Sequence, residues 1–200
     1  MLSCLLASVL VDLATLDSTM RLDIRYATKN NFLGRPVYAE ARAFLRPAVA
    51  QALLRAHAEV KAKGYGLLVL DAYRPLSVTR LFWNELPPDK RRFVADPQKG
   101  SNHNRGCAVD VSLYDLASGL EAAMPSPYDE MSPRASPGYS GGPADLRARR
   151  DFLRSALEAS GFRVNRGEWW HFDHRDCPSY DVLDVSFEAL DASSPPPRPQ

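Results

Sequence analysis

The sequence predicts a single α+β domain in which helices pack on the outer side of an antiparallel-dominated sheet. Three observations carry that prediction. The chain has 200 residues, 45% hydrophobic and 24% charged, which suits one globular core and excludes disorder as the main state. Apolar residues recur at helical spacing in three segments, and short alternating or aromatic runs lie between them. The last two of these runs flank Asn165-Arg166-Gly167, a hairpin signal and hence a sign of antiparallel pairing.

The elements follow in chain order. An apolar stretch from Cys4 to Val11 is interrupted by Ser8 and stopped by Asp12, well short of the ~20 apolar residues a membrane span needs. It has the apolar run of a signal peptide, but no basic residue precedes Arg21 and no cleavage site is clear. Residues 1–10 are therefore set apart from a domain over 11–190, and a cytoplasmic location is favoured over an exported one.

The first helix is predicted from Pro47 to Lys63, with Leu53, Leu54, His57 and Val60 on one face, Pro47 early and Gly64 just past the end. Two shorter helical patterns run from Leu76 to Leu86, closed by Pro87-Pro88, and from Ala144 to Ser160, closed by Gly161. Tyr65 to Leu70 reads as a strand that ends in the loop Asp71-Ala72-Tyr73-Arg74-Pro75. Cys107 to Tyr114 alternates, with Cys107, Val109, Val111 and Leu113 on one face and Ala108, Asp110, Ser112 and Tyr114 on the other, as a half-buried strand does. Phe162–Val164 and Trp169–Phe172 form the closing hairpin. Proline-rich Pro125 to Pro143 is expected as a long surface loop, a candidate lid, and residues 191–200 as an extended tail.

Several function classes are excluded at this level. Twenty-five Lys+Arg against 24 Asp+Glu give a net charge of +1, so there is no basic excess to hold a nucleic acid. Cys4, Cys107 and Cys177 contain no CxxC pair, so neither a disulfide framework nor a zinc ribbon is indicated and the fold is expected to rest on its core. Nothing in the pattern identifies an oligomeric interface.

Two of the 4 histidines sit in compact polar clusters, Ser101-Asn102-His103-Asn104-Arg105-Gly106-Cys107-Ala108-Val109-Asp110 and Glu168-Trp169-Trp170-His171-Phe172-Asp173. His103, Asp110 and His171 make the three-ligand set that leaves zinc one position for water, the arrangement of catalytic sites. Glu168 is placed to take that water's proton. A flat strand would turn Glu168 and His171 to opposite faces, so Glu168 is expected where the hairpin bends. Spacing alone would favour a hydrogen-bonded core histidine over a ligand. His57 reads as a packing or boundary residue, His174 as the support of a loop rather than a spare ligand, and Cys107 as a core residue rather than a nucleophile. Asp71 and Glu130 read as structural or solvated carboxylates that could orient a ligand-bearing group.

Ser101-x-His103-x-x-Gly106-x-Ala108-x-Asp110 together with Glu168-Trp169-Trp170-His171 resembles the paired signature of the D-alanyl-D-alanine dipeptidases, zinc peptidases of the wider D,D-/L,D-carboxypeptidase group. Arg25-Tyr26-Ala27-Thr28 with Asn31-Phe32, Gly64 to Leu68 with Asp71 to Pro75, and Pro127-Tyr128-Asp129-Glu130 are similar to family blocks in the same order. The resemblance implies hydrolysis of the dipeptide D-Ala-D-Ala, a cell-wall precursor, with one zinc ion per chain held by His103, Asp110 and His171. It implies Glu168 as catalytic base and acid, Arg74 as stabiliser of the transition state, Asp129 and Tyr26 beside the substrate amine, and Ser101 beside the substrate. Arg74 also fits on physical grounds, since Pro75 holds it extended and a fixed guanidinium suits an oxyanion. Met124-Pro125-Ser126-Pro127-Tyr128-Asp129 departs from the commoner Met-Gly-Thr-Pro-Phe-Asp form, which bears on the amine pocket. The rival readings are a metallo-carboxypeptidase acting on longer peptidoglycan peptides and a zinc-containing binding module without turnover.

Overall fold

A computed structural model describes residues 10–191; the apolar opening segment up to Val9 and the tail beyond Asp191 lie outside the described residues. Three two-residue strands come first, β1 (Val11–Asp12), β2 (Arg21–Leu22) and β3 (Phe44–Leu45). Helix α1 (Pro47–Lys61) starts on Pro47, whose missing N–H costs nothing in a first turn, and buries Val49, Ala52, Leu53, Ala56 and Val60 on one face. Gly64, at φ 83, reverses the chain into β4 (Tyr65–Asp71), which is followed by α2 (Leu76–Glu85), β5 (Ala108–Asp115), α3 (Ala144–Ala159), β6 (Phe162–Val164), β7 (His171–His174) and a short α4 (Phe187–Asp191).

The main sheet has the order β2-β4-β5-β7-β6. Only the β2–β4 pair is parallel; β4–β5, β5–β7 and β6–β7 are antiparallel, as the alternating runs and the closing hairpin predict. Helices α1 and α3 pack on each other, α1 against β4 and α3 against β6. Leu67, Val69, Val109, Val111 and Leu113 of the sheet meet Leu53, Leu153 and Leu157 of the helices in one core. A smaller cluster of Leu68, Leu70 and Tyr114 lies apart from it, with Tyr128 packed against it.

That second cluster changes the reading of β5. The strand is buried from Ala108 to Tyr114 on both faces, not half-buried, because the chain after it folds back: Ala122 N–H donates to Leu113 O at 2.8 Å, and Tyr128 covers the polar face. The proline-rich loop is likewise fastened to the body. Trp169 donates through its backbone N to Ala135 O at 2.8 Å and through Nε1 to Ser126 Oγ at 2.9 Å, and Arg150 Nη1 donates to Tyr139 O at 2.7 Å.

The expectation of a fold without a disulfide is also corrected. Cys107 and Cys177 form a disulfide, with Cα atoms 5.4 Å apart and 70 residues between them in sequence. Spacing hides this pair, because only the β5–β7 pairing brings the start of β5 beside the turn after β7; His174 N–H donates to Cys107 O at 2.9 Å across that junction. The two remaining histidines are structural groups, as expected, and His174 supports the turn after β7 by accepting from Asp176 N–H at 3.3 Å. His57 accepts from Leu67 N–H at 3.2 Å, and His174 packs edge-on against Phe162 at 5.2 Å.

Candidate active site

The sheet register builds the site. Asp71 of β4 pairs with Asp110 of β5, and Asp110 pairs with His171 of β7, so three neighbouring strands present one row of polar side chains. His103 reaches the same point from the single 3-10 turn His103–Arg105, which ends at Gly106 with φ 70, a left-handed conformation that a residue with a Cβ adopts only at a cost. The sequence reading of Gly106 as the turn between His103 and the strand of Asp110 agrees with this.

Three donor atoms converge. His103 Nε2 lies 3.2 Å from Asp110 Oδ1, His171 Nδ1 lies 3.0 Å from the same oxygen, and the two ring nitrogens are 3.0 Å apart. Ligands about 2.0–2.1 Å from a tetrahedral zinc ion stand about 3.3–3.4 Å from one another, close to this triangle. The far side of each ring fixes which nitrogen carries the hydrogen. His103 Nδ1 donates to Ala72 O at 2.6 Å and His171 Nε2 donates to Asp173 Oδ1 at 2.9 Å, which turns a lone pair of each ring inward. Three lone-pair atoms facing one buried point fit a cation. Among the described residues these side chains are the group able to hold a metal ion.

The titration of these groups carries the same field. With no cation bound, burial opposes the charged form of His171, but hydrogen bonds from its two ring nitrogens to Asp110 and Asp173 and the charges of those carboxylates outweigh it and raise the imidazole pKa well above its usual range, so a cation there takes the place of the proton on Nδ1. Burial likewise works against the Asp110 carboxylate, and His103 and His171 overcome it, leaving that group well below the ordinary carboxylate range.

Glu168 precedes β7 instead of lying in it. His171 N–H donates to Glu168 O at 3.4 Å, closing a turn that frees Glu168 from strand alternation, so it and His171 both line the cleft. Burial, reinforced by Asp110, pushes the Glu168 carboxyl up, while His171, His103 and Arg74 pull the other way. The closing strand thus starts at His171, and Trp169 and Trp170, expected within it, form the buried turn before it.

Arg74 is held from three sides. Its Nη2 and Nε donate to Asp71 Oδ2 at 2.7 and 3.0 Å, leaving Nη1 outside that pair, and its guanidinium lies over the rings of Phe82 and Tyr26 at 4.9 and 5.2 Å. The backbone is locked to the turn that carries His103: Arg74 N–H donates to His103 O at 3.1 Å, and Asn104 Nδ2 donates to Arg74 O at 2.8 Å. Asp71, which accepts from Tyr38 OH at 3.0 Å as well, therefore orients Arg74. The signal in sequence was its position three residues before the arginine.

Asp129 sits at φ 60. Its carboxylate accepts from Tyr26 OH at 3.1 Å and from Phe32 N–H at 3.4 Å. Ser101 Oγ accepts from His103 N–H at 3.2 Å and keeps its own hydrogen to donate. The eight residues to which the sequence assigned a metal, catalytic or substrate role line a single cleft of about 540 Å³, with Phe32, Phe82, Arg92, Met131 and Trp170 among its walls. The sequence reading assigned no role to Asp173, although a carboxylate two residues after a candidate ligand histidine is a recognisable partner for its second nitrogen.

Three inward-facing donors, a buried carboxyl beside them and a fixed guanidinium, on a mixed sheet, define the class of a metal-dependent hydrolase. Residues 7–189 match the family described as D-ala-D-ala dipeptidase. The chain is 32% identical to the D-alanyl-D-alanine dipeptidase of Escherichia coli over 90% of this chain and 92% of that protein. It is 37% identical to that of Enterococcus faecalis over 82% and 90%, and 35% identical to that of Streptomyces coelicolor over 82% and 91%. The chain belongs to this metallopeptidase family.

Proposed function

We propose that the protein hydrolyses D-Ala-D-Ala to two D-alanines, with His103, Asp110 and His171 as the ligands of one zinc ion and Glu168 and Arg74 as the catalytic side chains. The observation that carries the reading is the convergence of His103 Nε2, Asp110 Oδ1 and His171 Nδ1 within 3.0 to 3.2 Å of one another, in a family whose curated relatives are D-alanyl-D-alanine dipeptidases. A zinc ion bound there supplies Lewis acidity and lowers the pKa of water toward about 7.

The chain's own groups account for the rest. Glu168, its carboxyl raised by burial, takes the proton of the attacking water and returns it to the amine that leaves. Arg74 stays charged: burial disfavours the cation, but Asp71 and the surrounding phenols hold its pKa well above the ordinary value. Its guanidinium donates to the oxygen that gains charge as the scissile carbonyl becomes tetrahedral. Asp129 and Tyr26 hold the substrate ammonium, and the Ser101 hydroxyl donates to the substrate. A free amine is therefore part of what the site recognises.

The test is D-alanine release by the zinc-loaded protein from D-Ala-D-Ala, L-Ala-L-Ala and N-acetyl-D-Ala-D-Ala. Hydrolysis of the first alone is expected. Equal turnover of the acetylated peptide would remove Asp129 from amine recognition and favour a carboxypeptidase, and no turnover of any of them would sink the reading.

A further inference from the structure

The two oxygens of Asp110 do different jobs. Oδ1 faces His103 Nε2 at 3.2 Å and His171 Nδ1 at 3.0 Å. Oδ2 accepts from the hydroxyl of Tyr128 at 2.8 Å. A carboxylate beside a dication can offer it one oxygen or both, and a buried O–H donor on one of them decides between these modes.

Tyr128 is built for that contact. Its ring stands edge-on to Trp170 at 5.3 Å and to Tyr26 at 6.2 Å, which fixes the hydroxyl against β5. The next residue, Asp129, has φ 60, so the chain turns and sends that carboxylate to Tyr26 OH instead. Consecutive side chains therefore serve neighbouring parts of the cleft, one at the candidate metal carboxylate and one at the amine pocket.

We propose that Tyr128 is a positioning residue of the metal centre, its hydroxyl reserving Asp110 Oδ2 so that the carboxylate gives the cation a single oxygen and the centre has three protein donor atoms. The inference rests on the reading of His103, Asp110 and His171 as the zinc ligands. With Oδ2 released, the carboxylate is free to chelate through both oxygens, which crowds the position that hydrolysis needs open.

The experiment separates the two claims. Zinc affinity is measured by competition with a chromophoric chelator for the parent, Asp110→Ala and Tyr128→Phe, and the visible absorption of the cobalt(II)-loaded parent and Tyr128→Phe is recorded. Loss of tight binding in Asp110→Ala is expected from the ligand reading itself, and its retention would overturn that reading. For Tyr128, the parent should show the intense bands of four-coordinate cobalt. The phenylalanine variant should bind zinc about tenfold more weakly with weaker, five-coordinate bands. Parent-like affinity and bands in Tyr128→Phe would overturn the proposal, as would weaker binding with unchanged bands, which would make the ring merely a packing group. Should the variant not fold, the parent spectrum decides alone, because bands of five-coordinate cobalt there mean that Oδ2 is not reserved.

Discussion

Burial, reinforced by the charge of Asp110, pushes the carboxyl of Asp129 from an ordinary 3.8 up to about 8. Between those values the unfolded chain has released this proton and the folded chain retains it, so the group costs stability as pH rises through the window. In zinc-stripped protein, the urea midpoint of the parent should fall relative to that of Asp129→Asn between pH 5 and 8; a difference independent of pH would show that Asp129 is ionised throughout. Glu168 lies outside the triangle of donor atoms, so Glu168→Gln should keep the parent's zinc affinity while turnover falls about a hundredfold to ten-thousandfold. Loss of zinc along with turnover would instead make Glu168 a ligand. Asp71 is 1% exposed and Arg74 7%, so Asp71→Asn leaves a buried cation unpaired at a cost of about 3–5 kcal/mol and lets the guanidinium move. A Tm equal to the parent's in a thermal melt would contradict that. Residue identity was the most legible level in the sequence, because His, Asp and Glu in compact clusters announce their chemistry. The three-residue spacing of Asp71 and Arg74 hints at their pairing, but the strength of that pair depends on burial, which spacing does not report.

Secondary structure was legible where a pattern ran long enough. Helices α1 and α3 and strands β4 and β5 span 15, 16, 7 and 8 residues, and each carries a period that sequence can show. Strands β1, β2 and β3 have 2 residues each and exist only because a partner strand accepts them. The start of β7 was misplaced for a related reason: Trp169 gives its N–H to Ala135 O in the proline-rich loop, a long-range competitor for what looked like a strand hydrogen bond. The turn between two candidate ligands gives a prediction at this level. A Cβ on Gly106 would lie 2.5 Å from Leu10 Cδ2, a side-chain end able to shift, so the main penalty of Gly106→Ala is the left-handed backbone at φ 70, about 1–2 kcal/mol. Calorimetry should show a lower melting temperature, and the zinc titration a weaker site, because the strain is relieved by moving His103. A weaker fold with parent-like zinc affinity would mean that the turn and the ligands are mechanically independent.

Across the whole molecule, the donor set depends on two distant stretches of chain being held together, since His103 and Asp110 lie within four residues of Cys107 while His171 lies six residues before Cys177. Two devices join these stretches. One is the antiparallel register of β5 and β7, and the other is the Cys107–Cys177 bond, which closes a loop with a sequence separation of 70. Sequence gave no access to the second, because three cysteines without a motif are silent until topology pairs them. Closing a loop of that length removes chain entropy from the unfolded state worth about 4 kcal/mol. Reductant should therefore lower the urea midpoint of the metal-free parent, and a double variant, Cys107→Ala with Cys177→Ala, should sit at the reduced midpoint and ignore reductant. The same variant reports on function: with one of the two links gone, β5 and the segment after β7 separate more readily, so zinc should bind more weakly under non-reducing conditions as well. If the double variant matches the parent in both midpoint and zinc affinity, the sheet alone holds the ligands in place and the bond contributes nothing to the centre.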